Sequence, residues 1–468
     1  MATTNNTGSL RLAFYGDDFT GSTDALEVLA FSGLRCALFL SVPTAAQLEA
    51  LGEFDAIGIA GGSRAMTPDE MDAELPEVLS GLAALPTQLV HYKVCSTFDS
   101  APTVGSIGRV IELSQADYKQ PLVPVVAGTP GLGRYCLFGH LFARSGTDGQ
   151  VYRIDRHPIM SVHPVTPMLE SDLALHLQQQ ATLAIGNVPL TWLDTAPDAL
   201  PDRVASMASS YQAAVFDGMT EAHLTTTGAC LQQMASERDT PLFVVGSSGV
   251  EYALTQFWRQ EGVAPASDRY DRFEAVDQVL VVSGSASTLS ATQIQTAVDA
   301  GFREIVIDVE ALTIGPETGT AAQQLVQDVV AALADGASVV MHTARGPNDP
   351  RVARLIQALR SRGCSPEQAR HQSGRLVSEQ LGVVVDDIVR RHPLRRLVLS
   401  GGDTSSRITQ ELAPDALQIR ARLAPGAPLC TVLSTEPHLS GLELALKGGQ
   451  MGAADYFITT LRGSAPTA

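Results

Sequence analysis

The sequence predicts an α/β protein of two domains, each built on a mostly parallel sheet flanked by helices. Three observations predict it. Short apolar runs alternate with helical stretches along nearly the whole chain, the pattern of repeated strand–helix units. The chain has 468 residues, enough for two or three domains at roughly 100–200 residues each. The alternation weakens from about Arg259 to Asp277, where Gly262, Pro265, Ser267 and several charges interrupt it, and then resumes. That interruption reads as a linker, which sets the expected domains at residues 9–260 and 275–462.

The first segment reads strand, turn, helix: an apolar Leu10–Tyr15, a turn over Gly16-Asp17-Asp18-Phe19-Thr20-Gly21, and helical character from Asp24 to Phe31. Further strands are predicted at Cys36–Leu40, Ala56–Ala60, Leu89–Val94, Leu122–Ala127 and Leu242–Val245. The later half repeats the pattern, with strands at Val279–Val282, Glu304–Asp308, Ser338–His342 and Arg396–Leu399. No fixed-period repeat is visible. Ligands of open α/β sheets bind beyond the carboxyl ends of the strands, so the residues just past each strand matter most.

Composition excludes several classes. With 45% hydrophobic and 18% charged residues, the chain can bury a sizeable core and is not globally disordered. A formal net charge of −18 repels nucleic-acid phosphates, yet it leaves room for a local cationic pocket that takes a small anion. Cys36, Cys95, Cys136, Cys230, Cys364 and Cys430 form no C-x-x-C pair and are too sparse for a disulfide framework, which fits a reducing cytoplasm. Met1 to Leu10 is polar, so no signal peptide is expected. No apolar run reaches ~18 residues, so no membrane span is expected either. The histidines show no metal-ligand spacing such as H-E-x-x-H, and no protein metal site is expected.

Two strand ends in the later half carry phosphate-binding chemistry. Ser283-Gly284-Ser285-Ala286-Ser287-Thr288 precedes a helix through Gln293 and Gln295; Ser400-Gly401-Gly402-Asp403-Thr404-Ser405-Ser406 precedes one through Leu412. Glycines let backbone N–H groups approach an oxyanion, helix N-termini add unpaired donors and partial positive charge, and hydroxyls bond phosphate oxygens or cap the helix. Lys447-Gly448-Gly449-Gln450-Met451-Gly452 is a third such loop, with Lys447 offering a cation, and Pro425-Gly426-Ala427-Pro428 shapes a turn nearby. Any one of these loops also reads as an ordinary capped helix. Neither G-x-x-x-x-G-K-[ST] nor an orderly G-x-G-x-x-G occurs; Gly128 to Gly133 matches the latter only loosely.

The earlier half supplies acids and bases. Asp17 and Asp18 come directly after the first strand, with Asp24 further along. A carboxylate there can take the proton of a substrate hydroxyl or hold hydroxyls by hydrogen bonds; alternatively one aspartate caps the helix and the other is solvated. Lys93 leaves a buried strand just before Ser96 and Thr97, and Arg64 comes after Gly61-Gly62-Ser63. Each either meets an anionic ligand or makes a surface ion pair. Arg109 and Arg134 rank behind them, and Asp99 and Ser100 are placed in the same loop as Lys93. A dehydrogenase or other phospho-ligand enzyme, and a sensor that binds a sugar acid without turning it over, are the competing readings.

Taken together the motifs resemble the four-carbon acid sugar kinase family, which includes threonate, erythronate and 3-oxo-tetronate kinases. The resembling segments are GDDFTGSTD at 16–24, KVCST at 93–97, HPVTPMLESDL at 163–173, SGSASTLSATQI at 283–294, SGGDTS at 400–405 and KGGQMG at 447–452, spread over nearly the whole chain. The resemblance implies an ATP-dependent phosphotransferase with an alcohol group as acceptor, an N-terminal substrate domain, a C-terminal nucleotide domain and an active site between them. It implies Asp17 and Asp18 as catalytic carboxylates, with Arg64, Lys93, Ser96 and Asp24 at the acid sugar. Ser283, Ser285, Gly401, Gly402, Asp403, Thr404, Gly448 and Gly449 would hold ATP, with Mg²⁺. The expected partner is a small sugar acid in the cytoplasm, with neither nucleic acid nor membrane, and a homo-oligomer stays open. One departure bears on the substrate. Where many members continue the lysine motif with aspartate and then Ser-Thr-Leu-Arg-Gly, this chain has Cys95 and Phe98-Asp99-Ser100. A cation is lost and an acid gained, which points toward an oxidised or branched acid such as a 3-oxo-isoapionate-like compound.

Overall fold

A computed structural model describes residues 10–146, 148–195, 197–263, 270–315 and 318–464. The polar stretch before Leu10 and the middle of the expected linker, with Pro265 and Ser267, lie outside the described residues. The chain divides into two compact units, Met1–Ser267 and Asp268–Ala468.

The first unit forms β1 (Leu10–Gly16), β2 (Cys36–Phe39), β3 (Ala56–Ala60), β4 (Thr87–Lys93) and β5 (Val123–Val126). After these come β6 (Arg134–Leu137), β7 (His140–Arg144) and β8 (Val151–Arg153), and then β9 (Ile185–Val188), β10 (Ala213–Phe216) and β11 (Leu242–Gly246). The main sheet runs β2-β3-β1-β4-β11-β5-β10-β9, every neighbouring pair parallel. Its strands are short and apolar along their whole length because helices cover both faces; β3, β5 and β11 are buried at every position. The strands β6 to β8 form a separate antiparallel meander. It is pinned by the buried Asp217 at the end of β10, which accepts from the Phe138, Gly139 and Leu190 amides.

The second unit forms β12 (Leu280–Ser283), β13 (Arg303–Val306), β14 (Val339–His342), β15 (Arg396–Ser400), β16 (Ala416–Ala424), β17 (Ala427–Leu433) and β18 (Glu443–Lys447). Their order is β13-β14-β12-β15-β18-β17-β16, parallel from β13 to β18 and antiparallel across β17 and β16. The hairpin between β16 and β17 turns at Pro425-Gly426, where proline presets one φ and Gly426 takes φ +68°. Capping fixes the helices locally. Thr67 with Glu70 and Ser365 with Gln368 form capping boxes, each with a proline at the first helical position.

The predicted strands all occur, most shifted by a residue or two. Two stretches differ in kind. The expected turn at Gly16–Gly21 is shorter, because Asp18 caps a helix that already starts at Phe19. Likewise Gly402, Asp403 and Thr404 are the first turn of the helix Gly402–Leu412, not a loop before it. In both places a residue in or beside the motif caps or starts the helix, so the chain needs no further loop.

Candidate active site

In each unit the chain reverses its winding at one pair of neighbouring strands, and the predicted residues gather there. In the first unit the connections leave β1 toward β2 and β3 but continue from β4 to the other side, so the crevice lies beyond β1 and β4. Gly16 pairs with both Ala60 and Lys93, which sets the loops after β1, β3 and β4 side by side. Backbone bonds lock them: Asp17 N–H donates to Lys93 O at 2.9 Å, and Arg64 N–H to Asp17 O at 3.0 Å.

Arg64 organises this crevice. Its Nη2 donates to Asp17 Oδ1 at 2.6 Å and Asp18 Oδ1 at 2.7 Å, and its Nε to Asp17 Oδ2 at 3.1 Å. Asp17 is 3% exposed. Burial pushes its carboxyl above the ordinary value while Arg64 pulls the other way. Burial also works against the Arg64 charge, but the two carboxylates outweigh it and hold the guanidinium above its usual range. Asp18 Oδ1 additionally accepts from Gly21 N–H at 2.9 Å as the helix cap. So the capping alternative holds for Asp18, but Asp17 is buried and paired instead of solvated.

Lys93 is not a surface lysine. It is 3% exposed, and its ammonium lies 3.9 Å from Asp24 Oδ2. One strand pair deeper, His91 Nδ1 and Glu251 Oε1 are 2.6 Å apart and His91 Nε2 is 3.1 Å from Gly246 O, both side chains fully buried. Beneath Arg64, Tyr15 and Tyr92 stack with centroids 5.6 Å apart, and Ser63 Oγ meets the Tyr92 hydroxyl at 2.6 Å.

Gly21 was no candidate, yet it is central. A Cβ there would stand 2.3 Å from Asp18 Oδ1, 2.5 Å from Lys93 Nζ and 3.5 Å from Arg64 Nη2. Only its place inside a quoted motif hinted at this. Ser96 is half-buried in the turn after β4. The altered stretch is internally bonded: Cys95 Sγ meets Thr97 Oγ1 at 3.0 Å, and Thr97 donates to Asp99 Oδ1 at 2.5 Å. Burial, with Asp99 beside it, pushes the Cys95 thiol up, so it stays protonated. Ser100 turns inward to His176 and Gln180. Arg109 and Arg134 stay out of the crevice, the first paired with Asp72 and Glu112, the second donating to Leu132 O.

In the second unit the winding reverses between β12 and β15. His342, Ser283, Ser400 and Lys447 stand in one register row at the strand ends. The three glycine loops interlock above that row. Gly284 N–H donates to Ser400 O and Gly401 N–H to Lys447 O, both at 2.9 Å; Ser287 and Ser290 donate to Gly449 O. The glycines are sterically required: a Cβ on Gly284 would meet Thr404 Oγ1 at 1.9 Å, one on Gly449 would meet Ser285 Oγ at 2.3 Å, and Gly401 holds φ +122°. Beside the loops opens a cavity of ≈ 300 Å³. Gly284, Ser285, Gly401, Gly402, Asp403, Thr404 and Gly449 form its polar wall, and Val309, Val352, Leu355 and Val377 an apolar one. Those valines and the leucine carry no sequence signal, being scattered over three helices. Ser283, expected to contact nucleotide, is the last residue of β12 and 0% exposed. The buried strand runs one residue further than predicted, which puts this serine beneath the loop. Gly448, half-buried, sits next to Lys447 at the start of the third loop.

Comparisons with known proteins identify the family. Residues 12–254 match the family model described as a sugar-binding N-terminal domain, and residues 280–457 match a nucleotide-binding C-terminal domain. A Paraburkholderia graminis protein named 3-oxo-isoapionate kinase is 40% identical over 96% of this chain and 93% of its own. The chain belongs to the four-carbon acid sugar kinase family. As a member it is an ATP-dependent phosphotransferase with an alcohol group as acceptor. A Cupriavidus necator member named 3-oxo-tetronate kinase is 29% identical over 96% of both chains. Crystal structures from Salmonella typhimurium LT2 and Haemophilus influenzae share the kinase's fold, with TM-scores of 0.76 and 0.72 at 22% and 24% identity over 97% and 96% of this chain, and 99% and 98% of theirs.

Proposed function

We propose that this kinase phosphorylates a terminal hydroxyl of a small 3-oxo sugar acid, with a branched acid of the 3-oxo-isoapionate type as its preferred substrate. The observation that carries this is the contrast between 40% identity to the protein named for that substrate and 29% to one named for 3-oxo-tetronate, both over 96% of the chain. The Cys95–Ser100 stretch is consistent with it: a neutral thiol and an acid stand where many relatives offer an acid and a cation.

Residues 9–260 would take the sugar acid and 275–462 the nucleotide. Arg64 and Lys93 hold the carboxylate, and Ser96 and Asp24 bond hydroxyls. Asp18 is the better general base. Asp17 has both oxygens on Arg64, whereas the bonds of Asp18 fall on Oδ1 and leave Oδ2 to accept the acceptor's proton. The alkoxide oxygen then bonds to the γ-phosphorus as the bond to the β-phosphate bridging oxygen breaks, releasing ADP. Catalysis here is mainly positioning and charge neutralisation. Ser285, the Gly401–Thr404 turn and Gly448-Gly449 would cradle the phosphates.

The residues present fit Mg²⁺ carried in on the nucleotide. Asp403 is an exposed carboxylate on the cavity wall, and among the described residues no group of three or more His, Cys, Asp or Glu could cage a metal. Mg²⁺ characteristically binds through one or two carboxylates plus substrate phosphates. When bound it would neutralise phosphate charge. A cytoplasmic setting belongs to the same proposal: the six cysteines are thiols and not disulfides, and among the described residues no helix is long and apolar enough to cross a membrane.

The test is an ATP-consumption screen over four- and five-carbon sugar acids, including 3-oxo and branched forms. The expected outcome is the highest kcat/KM on the branched 3-oxo acid. Turnover confined to threonate or erythronate would reject the substrate assignment.

A further inference from the structure

Lys447 ends β18 with 2% of its surface exposed. Its ammonium donates to Ser400 Oγ at 3.0 Å and faces the rings of Tyr456 and Phe457, 5.9 Å and 5.8 Å from their centres. Ser400 comes from β15, and Ser405, on the helix after it, bonds the Lys447 carbonyl. The two rings come from the C-terminal helix Tyr456–Arg462. Of these groups Tyr456 alone titrates, and its hydroxyl points to Ala427 O. Asp403, in the first turn of the neighbouring helix, is exposed. Glu443, at the opposite end of β18, is spent on Arg396 and Arg420. Among the described residues this ammonium has no counter-charge, a costly state for a buried cation, yet it lies under all three glycine loops. Its carbonyl holds Gly401, and the next residues carry Gly449 to Ser287 and Ser290. Two strands away in the same register row, beyond Ser400, Ser283 Oγ is buried without a bonding partner among the described residues.

We propose that Lys447 is a positioning residue for the nucleotide, a buried ammonium whose charge is balanced by phosphates held at the three glycine loops and by no side chain. The inference rests on the reading of the second unit as the ATP site and adds a proton to that site's binding reaction. Burial lowers the free ammonium to about 8. A bound polyphosphate favours the charged form and raises it, so binding takes up a proton. The contribution to affinity is complete below the free value and is lost as pH rises through the bound value. The nucleotide's own phosphates titrate near pH 6, below that window.

The experiment is calorimetric titration of the full chain with ADP and with ATP at pH 8, in two buffers of contrasting ionisation enthalpy. The expected result is uptake of about half a proton per nucleotide. Lys447→Met should abolish that uptake and weaken ADP at least tenfold, while Lys447→Arg, permanently charged, should abolish the uptake and keep most of the affinity. Nucleotide binding by the wild type without proton uptake between pH 7.5 and 9 would overturn the proposal, as would Lys447→Met that keeps both affinity and uptake. The wild-type count decides even where a variant misfolds. Absence of any nucleotide binding by the wild type would instead remove the ATP-site reading, and this inference with it.

Discussion

Asp17 and Asp18 are adjacent, yet their surroundings give them different work. Asp17 is buried and clamped by Arg64 at both oxygens, so its removal leaves a partly buried guanidinium short of a partner, a change that costs about 3–5 kcal/mol in comparable buried pairs. Asp18 is half-buried with one oxygen uncommitted. Asp18→Asn is therefore expected to lower kcat by roughly 10²–10⁴-fold with an unchanged melting temperature, whereas Asp17→Asn should lower both activity and melting temperature. Steady-state kinetics alongside thermal unfolding separates the two; near wild-type turnover in both folded variants would remove the aspartates from the chemistry. Gly21 gives a second test at this scale. Alanine in a helix is normally favoured over glycine by about 0.5–1 kcal/mol, but here its Cβ would press on Asp18 Oδ1 and Lys93 Nζ. Gly21→Ala should keep its fold and lose at least tenfold in kcat/KM for the sugar acid, with the KM for ATP little changed. An equal rise in both KM values would count against the assignment of this crevice to the sugar acid.

The interlocked loops of the second unit behave as one element. A Cβ on Gly449 would strike Ser285 Oγ at 2.3 Å but Ser285 Cβ only at 3.3 Å. Gly449→Ala should thus weaken ADP binding about tenfold, and Ser285→Ala placed in the same chain should recover part of the loss, a non-additivity expected of residues in contact. Simple additivity of the two changes, measured by calorimetry, would mean the loops are not coupled in this way. The same element shows what the sequence disclosed and what it hid. Strands buried on both faces announce themselves as continuous apolar runs, so β12 and β15, and the glycines after them, could be read directly. β16 has no such run and went unpredicted: Leu417, Ile419 and Ala421 alternate with Gln418, Arg420 and Arg422, the period-two signal of a half-buried strand. β9 and β10 also went unpredicted: Gly186 and Asn187 interrupt the first, and the second opens on two alanines, a short apolar run that suits a buried helix as well as a strand. Lys447 was visible as a cation but not as a buried one, because burial comes from Tyr456, Phe457 and Ser400, which only the fold brings to it.

At the scale of the whole chain, a net charge of −18 coexists with two crevices proposed to take anions. Arg64 and Lys93 would serve one, and the glycine loops over Lys447 would serve the other. Long-range repulsion acts on a large polyanion over many contacts, but a small sugar acid or a nucleotide is governed by the few groups within a Debye length of about 8–10 Å, so negative bulk charge and anion binding do not conflict. Each ligand should then leave its own footprint in amide hydrogen exchange. The sugar acid alone should slow exchange at Asp17–Gly21, Gly61–Arg64 and Val94–Asp99, the segments bordering the first crevice, with the already bonded amides of Asp17, Gly61, Arg64 and Val94 changing least. ADP alone should slow it at Gly284–Ser287, Gly401–Ser405 and Gly448–Gly452, with the amides of Gly284 and Gly401, bonded to neighbouring strand ends, changing least because they are protected beforehand. A sugar acid that protects the Gly401–Ser405 segment while leaving Asp17–Gly21 untouched would reverse the assignment of ligands to the two units.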